Sequence, residues 1–155
     1  MNIRRATKND KSIIEKLLCQ VLGVHHKARP DIFKGGTAKY TSEELDAIIA
    51  DNNRPIFVAE SDGEVLGYVF CVFVQHTDNN ILTDIKTLYI DDLCVDEKAR
   101  GKGIGHALYN HAVTFAKENG CYNLTLNVWA DNTSALGFYE KLGLHKQKIG
   151  MELIL

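Results

Sequence analysis

Proline is nearly absent. The 155 residues contain two, Pro30 and Pro55, and neither sits in a low-complexity tract, a repeat or a linker-like stretch. One domain spanning 1–155 is therefore expected, long enough to bury about 70% of the surface its unfolded chain exposes. Cysteine is also sparse: Cys19, Cys71, Cys94 and Cys121 are scattered, with no C-x-x-C pair and no Cys/His ligand spacing. That pattern argues against a metal site and a disulfide framework. Each thiol lies in an apolar segment, so buried reduced cysteines are expected. Basic residues are not in excess, with 18 Lys and Arg against 20 Asp and Glu and a formal net charge of −2. This balance lacks the electrostatic footprint of a nucleic-acid binder. No apolar run reaches membrane-spanning length, and Met1-Asn2-Ile3-Arg4-Arg5 lacks the apolar core of a secretory leader. A cytoplasmic protein with neither nucleic-acid nor membrane partner is expected.

What is present reads as a mixed α/β domain. Asn2 to Ala6 is a short strand, and Thr7-Lys8-Asn9-Asp10 resembles a capping box. Ile13, Ile14, Leu17, Leu18, Val21 and Leu22 recur at helical spacing, giving a helix that stops near Gly23. Val24 to Tyr40, with His25-His26, Arg29-Pro30 and Gly35-Gly36, has no sustained period and reads as a loop. Thr41-Ser42-Glu43-Glu44 starts a second helix to about Asp51. Strands follow at Ile56–Ser61 and Val65–Gln75, joined by a tight turn at Asp62-Gly63. The second is nearly continuous in apolar residues and is expected to be buried on both faces. A long strand from about Thr83 or Lys86 to Val95 precedes a helix running to about Asn119. Then come a strand at Leu124–Trp129, a helix at Asn132–Leu142 and two final strand candidates, Leu144–Gln147 and Gly150–Ile154. The order is β-α-α-β-β-β-α-β-α-β(-β), with a right-handed parallel βαβ unit around the third helix.

The stretch between that long strand and the third helix, Val95 to Leu108, carries three glycines at alternate positions, Gly101, Gly103 and Gly105. A strand, a glycine turn and a helix N-terminus make an anion site from backbone alone. The first helical N–H groups have no intrahelical partner, and glycine lets a phosphate approach the main chain. The spacing is not G-x-x-x-x-G-K-[ST], and His106 stands where a dinucleotide fingerprint needs its third glycine. Arg100-Gly101-Lys102-Gly103-Ile104-Gly105 instead reads as [QR]-x-x-G-x-[GA]. It resembles the acyl-CoA loop of the GCN5-related N-acetyltransferase (GNAT) family. A second segment, Asn132-Thr133-Ser134-Ala135-Leu136-Gly137-Phe138-Tyr139-Glu140-Lys141-Leu142-Gly143-Leu144, resembles that family's N-x-x-A-x-x-[FL]-Y-E-K-x-G-[FL] motif, and the element order also agrees.

The resemblance implies an acetyl-CoA-dependent transfer to a primary amine, with no metal. The carrier's pyrophosphate would rest on backbone N–H groups of Arg100, Gly101, Lys102, Gly103, Ile104 and Gly105. Leu93 and Val95 would pair through their main chains with the pantetheine arm. Asn132 either bonds the arm or caps its helix, or does both. The N–H of Val95 would stabilise the oxyanion and Tyr139 would protonate the departing thiolate. An acceptor amine near pH 7 must first lose a proton. Asp91 is the preferred base or amine anchor, with Asp92 second. Period two places Asp91 on the face of Leu93 and Val95 and Asp92 on the other. His25 and His26, in the loop that lines the acceptor pocket in the family, are further substrate-site candidates, against a plainer reading as surface or packing residues. The acidic pair favours a small cationic amine of polyamine or aminosugar type. A protein or peptide amine and a non-catalytic CoA-binding regulatory module are the alternatives. Family members often dimerise, so a homodimer is one expected assembly.

Overall fold

The computed structural model describes residues 1–155. Five strands form one sheet in the order β1-β2-β3-β4-β5, namely Asn2–Arg5, Ile56–Ser61, Glu64–Gln75, Lys86–Val95 and Asn123–Leu126. The first four are antiparallel to their neighbours, while β5 runs parallel to β4 across the crossover helix α3, Ile104–Glu118. Ile104, Leu108, Ala112 and Ala116 recur along α3 and pack with Phe57, Val69, Leu88 and Ile90 on one side of the sheet. On the other side Ile14, Leu17 and Leu18 of α1 (Lys11–Ala28) and Leu45 and Ile48 of α2 (Ser42–Ala50) cover Val58, Tyr68 and Phe70. The central residues of β3, Gly67–Cys71, are buried as their apolar run requires. The last helix, α4 (Thr133–Lys141), lies on the α3 side, where Tyr139 and Leu142 join that cluster. No helix is long and apolar enough to cross a membrane.

Three expectations need correction. Helix α1 does not stop at Gly23 but runs on to Ala28, so His25 and His26 stand in its last turn. A lone interior glycine costs only about 1 kcal/mol. Arg29, which precedes Pro30, is forced off helical geometry (φ −136°, ψ 73°) and ends the helix. The two final strands do not form: Leu144–Gln147 and Gly150–Ile154 have no ladder partner, and Ile149, Met151, Leu153 and Ile154 are exposed. The edge they would extend is short, because β5 ends at Leu126 rather than Trp129. Of the four cysteines, Cys71 and Cys94 are buried, Cys121 is half-buried and Cys19 is exposed on α1. Burial pushes the thiols of Cys71 and Cys94 up to about 12.

Both capping boxes form. At the second, the Thr41 N–H donates to Glu44 Oε2 at 2.8 Å while Glu44 N–H donates to Thr41 Oγ1 at 3.2 Å. At the first, the Thr7 N–H and hydroxyl both donate to Asp10. Asp10 is the buried charged residue of the fold, and Arg4 reaches it through a fork of 2.8 and 2.9 Å while also pairing with Glu60. The hydrogen bond from Arg4 holds the Asp10 carboxyl down at about 2. A carboxyl depressed in the folded state adds stability above its ordinary range and loses it as pH falls through the folded value. Asp10→Asn is therefore expected to cost about 2 kcal/mol at pH 7. Urea unfolding should show the gap between variant and parent closing as pH falls from about 4 to about 2. An equal gap at both ends would contradict this pairing.

Candidate active site

The site is made by one extra residue. Phe70 of β3 pairs with Asp92 of β4, yet the next residue, Cys71, pairs with Ile90, so Asp91 is bulged out of the ladder. A bulge interrupts the alternation of side chains. Leu88 and Ile90 face α3 before it, and after it Leu93 and Val95 do so. Asp92 and Cys94 consequently turn to the α1/α2 side, where Cys94 joins that core and Tyr68 Oη donates to Asp92 Oδ2 at 2.9 Å. Asp91 turns the same way. It accepts a short hydrogen bond from Tyr40, whose ring stacks on Phe70, and pairs with Lys39 at 2.9 Å. The expectation that the two carboxylates face opposite sides of the sheet is thus overturned. Strict period two does not survive a bulge.

The bulge also frees a strand edge. The parallel ladder between β4 and β5 runs from Thr87↔Asn123 to Ile90↔Leu126 and stops, while β4 continues to Val95. The Asp96 N–H donates to the Leu66 carbonyl on β3, so by alternation the main-chain groups of Leu93 and Val95 point away from β3 into the gap. An extended ligand can add there as a strand. One end of the gap leads to the glycine turn. Gly101 and Gly103 both adopt φ +77°, which an L side chain rarely takes, and no atom would crowd a Cβ at either. Gly105 is different: a Cβ there would meet Phe138, Val95 and Leu93 at 3.5–3.9 Å, ordinary contact, so glycine is not required at that position. The Ala107 N–H is bonded to Gly103 O, which leaves the N–H groups of Ile104, Gly105 and His106 without helical partners. Lys102 is exposed beside them, whereas the Arg100 Nε folds back onto the Val95 carbonyl at 3.3 Å. The residues therefore fit a long anionic carrier, phosphate at the helix and arm along β4.

At the other end of the gap lie the titratable groups. Burial pushes the Asp92 carboxyl up, against the opposing pull of Lys39 and the Tyr68 hydrogen bond. Tyr139, on α4, is raised by burial and by the fields of Asp92 and Tyr109, which keeps its phenol protonated and able to donate. His25 lies within the field of Asp92 and stacks on Phe33, whose edge meets Trp129. These rings border a cavity of about 90 Å³ that also touches Arg29, Asp131 and Asn132. His26 is not part of it: its Nδ1 bonds the Phe33 carbonyl at 2.7 Å and fixes the loop. Asn132 caps α4, accepting from the Ala135 N–H at 3.1 Å. Sequence reasoning named Asp91, Asp92 and Tyr139, with His25 and His26 as lesser candidates, but missed Lys39, Tyr40 and Tyr68, which contact the two carboxylates. For Tyr68 a signal existed, a polar-tipped aromatic in a buried strand that the Asp62-Gly63 hairpin brings into the sheet beside β4. For Lys39 and Tyr40 there was none, since their loop has no period.

Comparisons with known proteins agree with this fold. A family model described as "Acetyltransferase (GNAT) family" matches residues 23–144. YhfO of Bacillus subtilis (strain 168), an uncharacterized N-acetyltransferase, is 32% identical over 92% of this chain and 89% of its own. MJ1207 of Methanocaldococcus jannaschii, likewise an uncharacterized N-acetyltransferase, is 34% identical over 60% of this chain, and the match spans only 40% of that protein. The crystal structure of a mutant of the BH1408 protein from Bacillus halodurans superposes with a TM-score of 0.95, at 32% identity, over 100% of this chain and 99% of that one.

Asp92 gives the site a measurable signature. It binds its proton more tightly folded than unfolded, so its contribution to stability is most favourable at low pH and falls as pH rises through the raised value. Asp92→Asn, which keeps an acceptor for Tyr68, is expected to raise Tm at pH 7 and leave it nearly unchanged at pH 4. Each kcal/mol recovered appears as about 2–4 °C in a domain of this size. A lower Tm at pH 7 would show that the charge is stabilising after all.

Proposed function

The chain belongs to the acetyltransferase (GNAT) family of N-acetyltransferase enzymes, and from that premise we propose that it moves an acetyl group from acetyl-CoA to a small cationic primary amine. The observation that carries this reading is the ladder that ends at Ile90↔Leu126 while β4 runs on to Val95, beside the free N–H groups of α3. Acetyl-CoA, when bound, supplies an activated thioester carbonyl. The N–H groups of Ile104 and Gly105 and the Lys102 ammonium hold its phosphate end, and the main chains of Leu93 and Val95 hold the arm. At about 3.3 Å per residue, Leu93 lies about 7 Å along the strand from Asp91 and Val95 about 13 Å. The Leu93 N–H, nearer to Asp91 along the strand than that of Val95, is taken as the oxyanion donor in this reading.

Proton movement is divided between two groups beside the gap. Asp91 anchors the incoming ammonium and, with Asp92 behind it, takes its proton. The Tyr139 phenol, kept neutral by burial, returns a proton to the thiolate. The acidic pair and the aromatic rings Tyr40, Phe33 and Trp129 suit a compact cation better than an extended peptide. A homodimer belongs to the same reading, the exposed Ile149, Met151, Leu153 and Ile154 being apolar surface that a second copy would cover.

A screen of amine acceptors, followed by thiol release from acetyl-CoA, tests this directly. Small polyamines or aminosugars should be acetylated faster than lysine peptides. Tyr139→Phe should lower kcat about 100-fold, the usual size of an acid–base contribution, with KM for acetyl-CoA little changed. Unchanged turnover in that variant would remove Tyr139 from the chemistry. Tight acetyl-CoA binding with no acetylated amine in the whole panel would favour a regulatory module.

A further inference from the structure

The bulge at Asp91 is already occupied by an amine of the protein itself. Lys39 comes from the long loop between α1 and α2, Arg29 to Thr41, which has no helix or strand of its own. Its Nζ lies 2.9 Å from Asp91 Oδ2 and 3.1 Å from the Asp91 main-chain oxygen, and sits 5.5 Å from the centroid of the Tyr40 ring. Tyr40 in turn donates to the same carboxylate. A carboxylate, a carbonyl and an aromatic face are the partners a primary ammonium needs on leaving water. The Lys39 side chain is 39% exposed and that of Asp91 19% exposed. Solvent therefore reaches the pair, and a partly exposed ion pair of this kind is weakly held. The loop can thus release it without unfolding anything.

We propose that Lys39 is the resident occupant of the acceptor-amine site and is itself acetylated, in cis, when no other amine displaces it. This rests on the transferase reading given above. The Asp91 carboxylate takes one proton from the Lys39 ammonium and passes it to water. The Nζ lone pair then bonds to the thioester carbonyl carbon, the C–S bond breaks, and the second nitrogen proton goes to sulfur so that CoA leaves as the thiol. The product is an uncharged amide that no longer pairs with Asp91, so the acetylated loop lets go of the bulge. Until then Lys39 competes with external cations for that position.

Intact-mass and peptide-mapping mass spectrometry of the full chain incubated with acetyl-CoA alone provides the test, with 1,4-diaminobutane added in parallel samples and amine acetylation followed in each. The expected result is a single acetyl group on Lys39, formed at least about tenfold faster than on any other lysine. Asp91→Asn should bring Lys39 labelling down to the background of the surface lysines, and the diamine should slow it in the parent chain. Lys39→Met should lower KM for the external amine, because the resident competitor for Asp91 is gone. Label spread evenly over surface lysines, or an unlabelled Lys39 in a preparation that acetylates the diamine, overturns the inference and leaves the transferase reading intact. A preparation that acetylates neither Lys39 nor any external amine overturns both.

Discussion

A single inserted residue in β4 sets most of what this molecule can do. Asp91 has no partner in β3, and from that point the strand's two edges and two faces exchange roles. Before it, main-chain groups of β4 close a ladder with β5. After it, Leu93 and Val95 present theirs to an open gap while their side chains rejoin the α3 core. Without the bulge, Asp92 and Cys94 would follow Leu88 and Ile90 into that core, where a carboxylate has no partner. With it, Asp92 meets the Tyr68 hydroxyl and Asp91 meets Lys39 and Tyr40. Opening a binding edge and gathering two carboxylates are consequences of the same local event.

The glycine turn completes what the bulge begins. Gly101 and Gly103 take positive φ so that the chain can leave β4 and enter α3 with its first N–H groups bare. Those donors and the Lys102 charge suit phosphate, while the gap that starts a few residues earlier suits an extended arm. The two features lie in one continuous segment and are held by one core, through Val95, Ile104 and Leu108. The segment proposed for the donor is therefore anchored in the sheet's own core. The acceptor side differs, being built from the loop between Arg29 and Thr41, tied down by His26 at the Phe33 carbonyl and by Lys39 at the bulge. On the proposed reading, selectivity falls to a segment without helix or strand of its own.

Local signals in the sequence account for the first of these sites and not the second. Helical spacing in α1 and α3, two capping boxes, a hairpin turn and alternate glycines are all short-range patterns. Each is enforced by chemistry within a few residues. The order of elements up to α4 and the glycine turn ahead of α3 were legible for that reason. Bulges are not local in this sense: whether Asp91 pairs depends on how β3 registers against β4, and nothing in Tyr89-Ile90-Asp91-Asp92-Leu93 states it. The same holds for Lys39, whose role follows from a partner 52 residues away. Two further errors have plain causes. Gly23 was given the force of a stop that in fact belongs to the residue before Pro30. The tail after Gly143 carries strand-like residues but finds no edge, since β5 ends at Leu126.

The central claim is that the unpaired edge of β4 and the bare start of α3 together hold acetyl-CoA. Amide hydrogen exchange, read residue by residue with and without acetyl-CoA, addresses it most directly. The account predicts that the N–H groups of Leu93, Val95, Ile104 and Gly105 exchange readily in the free protein and are strongly protected in the complex, while those paired within β1 and β2 do not change. Protection confined to the loop from Arg29 to Thr41, or binding that leaves Leu93 and Val95 exchanging as before, would contradict it.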